Sequence, residues 1–556
     1  MASAADAPKE QNMTGFLGWI ERNGNKLPDP VFLFFYLIFA LVIISVISAA
    51  LGVSALHPTA IDDATGGALR IEAVSLLSPE NIQTLWTEMP KTFTHFHPLG
   101  YVLVVMLGAG VAERSGFFAA GMAKAVKGAP TSLLTPVVAL VAMLGNHAAD
   151  AGYVVLIPLA GILFAAAGRH PLAGIAAAFA GVSGGFSANI SPGQLDALLF
   201  GITEEAVGAS ALDPTWTANI AGNWYFISAM TFIFLPIIWY VTDKVIEPRL
   251  GPWKGGATAG ADEIPADGGT SPDPATHDGA LASKGLRMAG LAALGVIALW
   301  LLMVFAPGTP LIDEGACLTD AGAAIPDCSI HSELRPLYQS LVAAFFVLFL
   351  ACGWSYGAAT GTIKNHRDLV NMMAESMKDM GYYLVLAFAA AHFVAMFGWS
   401  NLGLISAVHG AAAIQSTGLP LPLVLGLMVL FAALLNLFVG SASAKWALLA
   451  PILVPMLMLL GISPEGATAA YRVGDSATNI ITPLMVYFPL ILVFAQRWQK
   501  DFGLGSLTAM MIPYSIWLLV SGVILIVAWF YIGIPLGPDA PVSYDLPGAA
   551  AATSGG

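Results

Sequence analysis

Arg472 and Asp475 stand three residues apart in a run that is otherwise small or apolar, Ala469 to Thr482, and so fall on one face of a helix. An ionisable side chain in such surroundings is unfavourable unless it is paired or functional. A guanidinium presents two parallel N–H groups to a carboxylate, so Arg472 reads as an anion-binding group and Asp475 as the ligand of a coupling ion or proton. The bland alternative is that the two pair with each other. Asp196 and Asp150 each follow a break in an apolar stretch, as ion-binding carboxylates or as turn and cap residues. Trp446 ends a turn of small residues, Gly440-Ser441-Ala442-Ser443-Ala444-Lys445, and reads either as a platform for an aromatic substrate or as an interfacial residue beside a snorkelling Lys445. His147 and His392 sit among apolar residues and read more readily as hydrogen-bonded packing than as proton relays. Gly181-Val182-Ser183-Gly184-Gly185 fits G-x-S-x-G, and with His392 as base it would make an intramembrane serine protease of the rhomboid type. Glycine and serine are abundant here and also let helices approach closely, so the expectation is that the chain is not an enzyme.

The elements that hold these residues must lie in lipid. Of 556 residues, 57% are hydrophobic and 10% charged, whereas a soluble chain carries about 25% charged residues. Net charge is −13, with no basic stripe of the kind that binds nucleic acid. Val31 to Val53 is uncharged and, at about 1.5 Å per residue, long enough to cross a bilayer core. Similar runs are Ile220–Val241, Leu286–Phe305, Tyr338–Cys352 with its flanks, Tyr382–Phe397, Leu421–Val439 and Met511–Ile534; Leu99–Val111 and Leu133–Leu144 need their polar ends to complete a crossing. The first 29 residues lack the order of a secretory signal.

Basic residues set the orientation. Lys9, Arg22 and Lys26 lie in the N-terminal tail and Lys244, Arg249, Lys254, Lys284 and Arg287 in the central insert, so both are expected inside. The loop from Pro307 to Leu334 and the C-terminal tail have no basic residue and are expected outside, in the periplasm of a bacterial inner membrane. A disulfide between Cys317 and Cys328 suits that loop; Cys352 reads as a small core residue. The expected division is a tail over 1–29, a first membrane half over 30–243, a flexible linker over 244–283, a second half over 284–534 and a tail over 535–556. Arg367 to Met380 is amphipathic and is expected to lie along the membrane surface.

Two stretches, 146–192 and 440–489, are apolar but broken by prolines and polar residues too often for spanning helices. Such backbone has to be buried in protein or line a watery cavity, which points to two re-entrant helical hairpins. Gly185-Phe186-Ser187-Ala188-Asn189-Ile190-Ser191-Pro192 can be set beside Gly474-Asp475-Ser476-Ala477-Thr478-Asn479-Ile480-Ile481-Thr482-Pro483, one copy in each half. Paired interrupted segments are the sequence mark of a transporter's midplane site; coincidence among small residues is the alternative. Amide and carboxylate oxygens of Asn146, Asn189, Asn479, Asp196 and Asp475 are expected to hold the coupling ion, a proton or a sodium ion, the latter near Asn189 and Asn479.

The sequence resembles the AbgT family, the p-aminobenzoyl-glutamate transporters. The resemblance is carried by GSASAKWALLAPILVPMLMLLGISPE and AAYRVGDSATNIITPLMVYFPLILVFAQ within 440–496, with DAGYVVLIPLAG, GRHPLAGIAAAFAGVSGGFSANI and WSNLG in support. It implies an all-α polytopic fold of about nine transmembrane helices and two re-entrant hairpins in an inverted repeat, with scaffold and core domains in a homodimer. It implies secondary active transport of p-aminobenzoyl-glutamate or related aromatic anions, sulfonamide antimetabolites among them, with no cofactor beyond the coupling ion. Carried over residue by residue, the important positions of the family fall on Asp196, Asn436, Ser443, Trp446, Pro464, Arg472, Asp475 and Pro483. His147, Ala149 and His392 depart from the family pattern, as does the run from Ser191 to Asp196. Carriers of other carboxylates, of dicarboxylate type, remain the alternative.

Overall fold

The computed structural model describes residues 28–61, 66–148, 152–254, 279–305, 308, 310–318, 330–482 and 484–547. Among these, eight helices are long and apolar enough to cross a membrane, or up to ten if each sharply bent pair counts as one span. The first, α1 (Pro30–Ala50), starts where the Asp29 side chain accepts the Val31 N–H and Pro30 pre-sets the first turn. It ends before Gly52, whose positive φ turns the chain away.

A small antiparallel sheet follows, which the helical reading did not anticipate: β1 (Ser54–Ile61) pairs with β2 (Ala68–Glu72), Ser54 opposite Glu72 and Ala55 opposite Ile71. The segment is too polar to span. The His57 ring fixes its bend by accepting the Ala60 N–H at 2.9 Å, and α2 (Pro79–Thr94) leads from it into α3 (His97–Arg114), which supplies the length that Leu99–Val111 lacked.

The rest of the molecule is built twice. In the first half, α4 (Phe117–Lys127) meets the helical stretch Thr131–His147, containing α5 (Leu134–Leu144), at a bend of 116°. A helical hairpin follows, α6 (Ile157–Ala166) and α7 (Pro171–Phe179), with its foot at the turn 167–170 that joins the two arms and its tips at their opposite ends, and then α8 (Gln194–Ser210) and α9 (Trp224–Tyr240). Helix continues past 243 as far as Leu250, so the start of the expected linker is ordered; residues 255–278 lie outside the described residues.

After α10 (Gly279–Phe305) and α11 (Leu341–Thr360), α12 (His366–Asp379) begins at an Asn365 cap and packs on α3 through Ser376, whose Oγ bonds the Met106 carbonyl at 2.9 Å. Then come α13 (Gly381–Trp399), a pair bent by 118° (α14, Leu402–Ser416; α15, Leu421–Asn436) and a second hairpin, α16 (Ala442–Leu459) and α17 (Pro464–Thr478), its foot again the turn that joins the arms, 460–463. The chain ends with α18 (Phe488–Gln496) and α19 (Leu504–Ile532).

The matching bends before each hairpin are the structural form of the repeat, and α9 shows that it is inverted. At the start of α9, Asn223 donates to the Glu465 carbonyl at 3.0 Å, at the foot of the second hairpin. Just beyond its end, Asp243 takes Arg169 at 2.6 Å, at the foot of the first. The two hairpins therefore enter from opposite ends of one spanning helix. Both are pressed close by glycine: a Cβ on Gly174 would stand 2.5 Å from the Ala160 carbonyl oxygen, and one on Gly474 would stand 2.3 Å from that of Val429. Every residue of α17 is buried, although it is among the most polar helices in the chain. Its interrupted character is thus met by protein and not by lipid.

Cys317 is disulfide-bonded and Cys352 is a free buried thiol; Cys328 lies outside the described residues. The C-terminal segment folds back on the second hairpin, where the Ser463 N–H donates to the Val542 carbonyl at 3.2 Å and the Tyr544 N–H to that of Gly461 at 2.9 Å.

Candidate functional site

The tips of the two hairpins meet. The Ser187 N–H donates to Ser476 Oγ at 3.0 Å, and that hydroxyl donates to the Gly184 carbonyl at 3.0 Å. Ser187 and Ser476 are the serines that the internal match sets opposite each other, one from each half. Around this contact α17 projects its polar side chains in two directions.

Towards α8, Arg472 Nη1 donates to Asp196 Oδ1 at 2.7 Å and to Asn223 Oδ1 at 3.3 Å. The other oxygen of Asp196 accepts the Gly193 N–H at 2.8 Å, which caps α8. Arg472 is 1% exposed, yet its Nε has no hydrogen-bond partner. A buried, unpaired guanidinium N–H is unfavourable, and it is a position a ligand oxygen would satisfy.

Towards α15 and α16, Asp475 forms an ion pair with Lys445, whose Nζ also bonds Asn436 Oδ1. The Asn436 amide N–H₂ group is shared between the Asp475 carbonyl at 2.7 Å and Asn479 Oδ1 at 2.8 Å. Arg472 and Asp475 do lie on one helix, but they do not pair with each other; each has a partner of its own from a different element.

Lys445 and Trp446 differ from their interfacial reading. Lys445 is 2% exposed and Trp446 wholly buried, because α16 is a hairpin arm packed inside the protein and not a helix end at the lipid boundary. The indole stacks on Tyr471 with centroids 4.5 Å apart, and its Nε1 donates to Thr203 Oγ1 at 3.0 Å. In this conformation it is covered from any substrate.

A cavity of about 270 Å³ lies beside the tips, near the lower end of ligand-site volumes. Asn146, Gln194 and Asn479 supply its polar wall, and Tyr153, Phe186 and Tyr487 its aromatic one, with Tyr153 and Tyr487 stacked at 4.4 Å. Of the residues the sequence singled out that lie among the described ones, Asn146 and Asn479 line it. Arg472, Asp475 and Asp196 stand behind the wall, linked to it through Asn436, which bonds Asn479, and through Leu195, the chain neighbour of Asp196.

Asn189 is turned away: its Nδ2 donates to the Met143 carbonyl at 3.3 Å and its Oδ1 accepts the Ile190 N–H at 2.9 Å. Ser443 bonds Ser441 and faces an apolar cleft beside Tyr383, and Pro464 opens α17. Asp150 and Pro483 lie outside the described residues. A second cavity, about 180 Å³, lies at the foot of the second hairpin among Asn219, Arg335, Glu465 and Tyr544, away from the tips.

No serine–histidine dyad forms among the described residues. Ser183 Oγ bonds Met485 Sδ at 3.3 Å, whereas His392 Nδ1 is engaged by the Phe388 carbonyl at 2.7 Å and His147 Nε2 by Ser191 Oγ at 3.1 Å. Sequence reasoning missed Lys445, Asn223, Thr203 and the aromatic residues of the cavity. For Lys445 the signal was present, an ionisable residue inside an apolar run; for Asn223 and Thr203 there was none.

At its foot the first hairpin is fastened by Arg169. Its Nε reaches both Glu247 oxygens at 3.1 Å, and its guanidinium also bonds Thr135 at 2.8 Å and Asp243. Burial works against the charge on Arg169, but its bonds to Glu247 and Asp243 outweigh that and raise its pKa above the ordinary value.

Two re-entrant hairpins entering from opposite sides, with buried ion pairs and a polar–aromatic cavity where their tips meet, are the architecture of a membrane transporter. The comparisons place the chain in the same class. The model of the AbgT putative transporter family matches residues 15–544. The p-aminobenzoyl-glutamate transport protein of Escherichia coli K12 is 36% identical over 538 residues, which span 96% of this chain and 98% of that one. Among solved structures, the YdaH transporter of Alcanivorax borkumensis, described as having an unusual topology, is 40% identical, with a TM-score of 0.80 over 92% of this chain and all of that one. MtrF of Neisseria gonorrhoeae, described as illuminating a class of antimetabolite efflux pumps, is 41% identical, with a TM-score of 0.82 over 95% of this chain and all of that one. The chain belongs to the AbgT family of membrane transporters.

Proposed function

We propose that the protein moves p-aminobenzoyl-glutamate or a related aromatic anion, sulfonamide antimetabolites included, across the bacterial inner membrane by coupling it to an ion gradient. The observation that carries this reading is the unpartnered, buried Nε of Arg472 behind a cavity walled by three amides and three aromatic rings. A substrate carboxylate would take the guanidinium as the second hairpin shifts away from Asp196, and its ring would rest against Tyr153, Phe186 and Tyr487. Trp446, first read as the ring's contact, instead supports Tyr471 from behind. The protein works as a homodimer, with the N-terminus inside and the C-terminus outside, as the distribution of basic residues favours.

The test is flux of labelled p-aminobenzoyl-glutamate and of a labelled sulfonamide in proteoliposomes, with sodium and pH gradients imposed separately. Saturable, gradient-driven movement of at least one compound, lost in Arg472→Met, is expected. Gradient-driven flux of a simple dicarboxylate that p-aminobenzoyl-glutamate does not inhibit would favour the dicarboxylate alternative and refute the aromatic substrate. Unsaturable flux would make the protein a channel.

A further inference from the structure

The residues expected to hold the coupling ion are Asp196, Asp475, Asn146, Asn189 and Asn479, with a sodium ion near Asn189 and Asn479; Asn146 turns its amide N–H₂ group to the Met143 and Gly185 carbonyls, and the other four do not make a sodium donor set. Asp196 Oδ1 accepts Arg472 and its Oδ2 accepts the Gly193 N–H. Asn479 Oδ1 accepts the Asn436 amide, and Asn189 Oδ1 accepts the Ile190 N–H. Asp475 Oδ1 and Asn436 Oδ1, a carboxylate and an amide oxygen brought together from α17 and α15, are the hard-oxygen pair best suited to a small cation. Lys445 Nζ sits against both.

We propose that the Lys445 ammonium is a tethered cation standing where a coupling sodium ion would bind, so that transport by this chain does not depend on sodium. The inference rests on the transporter reading given above. Three features of the geometry support it. The ammonium is delivered from within the site, by the arm of the second hairpin that packs against α17, and its side chain is 1% exposed. Its partners match those a sodium ion would recruit, with oxygen atoms and no sulfur or ring nitrogen.

Charge balance closes without a further ion. The two carboxylates at the tips, Asp196 and Asp475, face two cationic side chains, Arg472 and Lys445, so no negative charge is left over to offset the dehydration of an added cation. The neighbouring elements do not supply one either. On α8, Glu204 and Glu205 turn to α3, where they bond Tyr101 and His97; on α13, His392 bonds a carbonyl; on α14, His409 bonds the Ser54 carbonyl; and α15 carries no titratable side chain. Apart from the Asp475 carboxylate itself, the phenol of Tyr471, 3.5 Å from Asp475 Oδ1, is the titratable group that shares this contact.

The purified full-length protein is melted in sodium chloride, potassium chloride and choline chloride of equal ionic strength, and p-aminobenzoyl-glutamate flux is measured in the same salts. Wild type is expected to melt at one temperature in all three and to keep its flux when choline replaces sodium. Lys445→Ala vacates the place beside Asp475 and is expected to melt higher in sodium than in choline; at a sodium concentration tenfold above its dissociation constant the folded-to-unfolded ratio rises about elevenfold. Lys445→Met combined with Asp475→Asn removes both charges and is expected to fold with no sodium response.

A sodium-specific shift in wild type, or wild-type flux that requires sodium, overturns the proposal. So does a Lys445→Ala protein that folds without responding to sodium, or a double variant that responds. If Lys445→Ala cannot be recovered in any salt, the wild-type comparison decides. The melting experiment needs no substrate, so a wild type that moves none of the compounds while Lys445→Ala gains the sodium shift would refute the substrate reading and leave this inference standing.

Discussion

Asp196→Asn is the most revealing single change at the tips. The amide is nearly isosteric with the carboxylate and its oxygen still accepts the Gly193 N–H, so the cap on α8 survives. What is lost is the charge that Arg472 Nη1 meets at 2.7 Å, between side chains that are 1% and 5% exposed. Removing one member of a buried pair costs about 3 to 5 kcal/mol, because the other charge is left in a poor solvent. At about 1.4 kcal/mol per decade this weakens the closed arrangement by roughly 10²- to 10³·⁵-fold. Arg472→Met alone should cost a similar amount, since it strands Asp196. Asp196→Asn with Arg472→Met removes both charges and should recover most of the loss, as neutral replacements of buried pairs commonly do. The assay is a double-mutant cycle on thermal melting of the detergent-solubilised protein, with uptake measured in parallel. Melting losses that simply add in the double variant would refute the reasoning, for then Asp196 and Arg472 do not hold each other. Uptake should stay absent in the double variant even as stability returns, because the group proposed to grip the substrate is gone.

Three further changes probe the frame around the site. Arg169→Ala leaves Asp243 and Glu247, each about a quarter exposed, facing each other without their cation; with solvent screening the loss should be about 1 to 3 kcal/mol, read as a lower melting temperature, and Arg169→Lys should recover only part of it because a point charge cannot replace the fork. Gly474→Val pushes a side chain into the Val429 and Ala433 backbone and should destabilise by about 1 to 3 kcal/mol or more, whereas Gly290→Ala, where a Cβ meets nothing in the interior of α10, should leave melting no lower than in wild type. In the loop between α8 and α9, burial works against the Asp213 carboxylate, but hydrogen bonds from Thr215 and Tyr544 outweigh it and hold its pKa below the usual value. The stability this gives is present above a pH of about 4 and lost as pH falls through the lower native value. Tyr544→Phe should therefore be less stable at neutral pH by about 1.5 to 3 kcal/mol and converge on wild type in acid; a gap that stays constant with pH would exclude Asp213 as the cause.

How much of this could be read from the sequence depended on distance along the chain. Arg472, Asp475 and Asp196 were visible because charge in an apolar run stands out whatever surrounds it. Their partners were not, because Arg472 and Asp196 lie 276 positions apart and nothing local records that they meet. The foot of the first hairpin stayed hidden for the same reason, with Arg169 separated from Glu247 by 78 positions. The paired serines were legible because the repeat writes the same turn twice, and Ser187 and Ser476 do meet. Lys445 was misjudged by its neighbour: beside a tryptophan it looked like a side chain reaching for the membrane surface, and only the packing of α16 against α17 shows that it points inward. The strands β1 and β2 escaped because hydropathy marks what crosses the bilayer and is silent on a short polar excursion outside it.

The unequal strength of the contacts at the two ends of each hairpin indicates where motion is easiest. At the feet, Arg169 grips two carboxylates, and the C-terminal segment is laced to the second hairpin through main-chain bonds at Ser463 and Tyr544, and to the loop before α9 by a side-chain bond from Asn219 to the Pro538 carbonyl at 2.6 Å. At the tips, the hydrogen bonds that join the two broken stretches are neutral ones, a pair through Ser476 and one from Ser183 Oγ to Met485 Sδ. Neutral hydrogen bonds contribute about 0.5 to 1.5 kcal/mol net, roughly half of what charge-assisted ones give. The ion pairs at the tips bind Arg472 to α8 and Lys445 within the second hairpin, so neither ties one hairpin tip to the other. A substrate carboxylate that draws Arg472 away from Asp196 therefore competes with that bond and the longer one to Asn223, while leaving both feet and the Lys445 pair intact. The hairpins are built to part at the cavity and to hold at the membrane faces, which is the order of strengths a carrier needs if it is to open its site without coming apart.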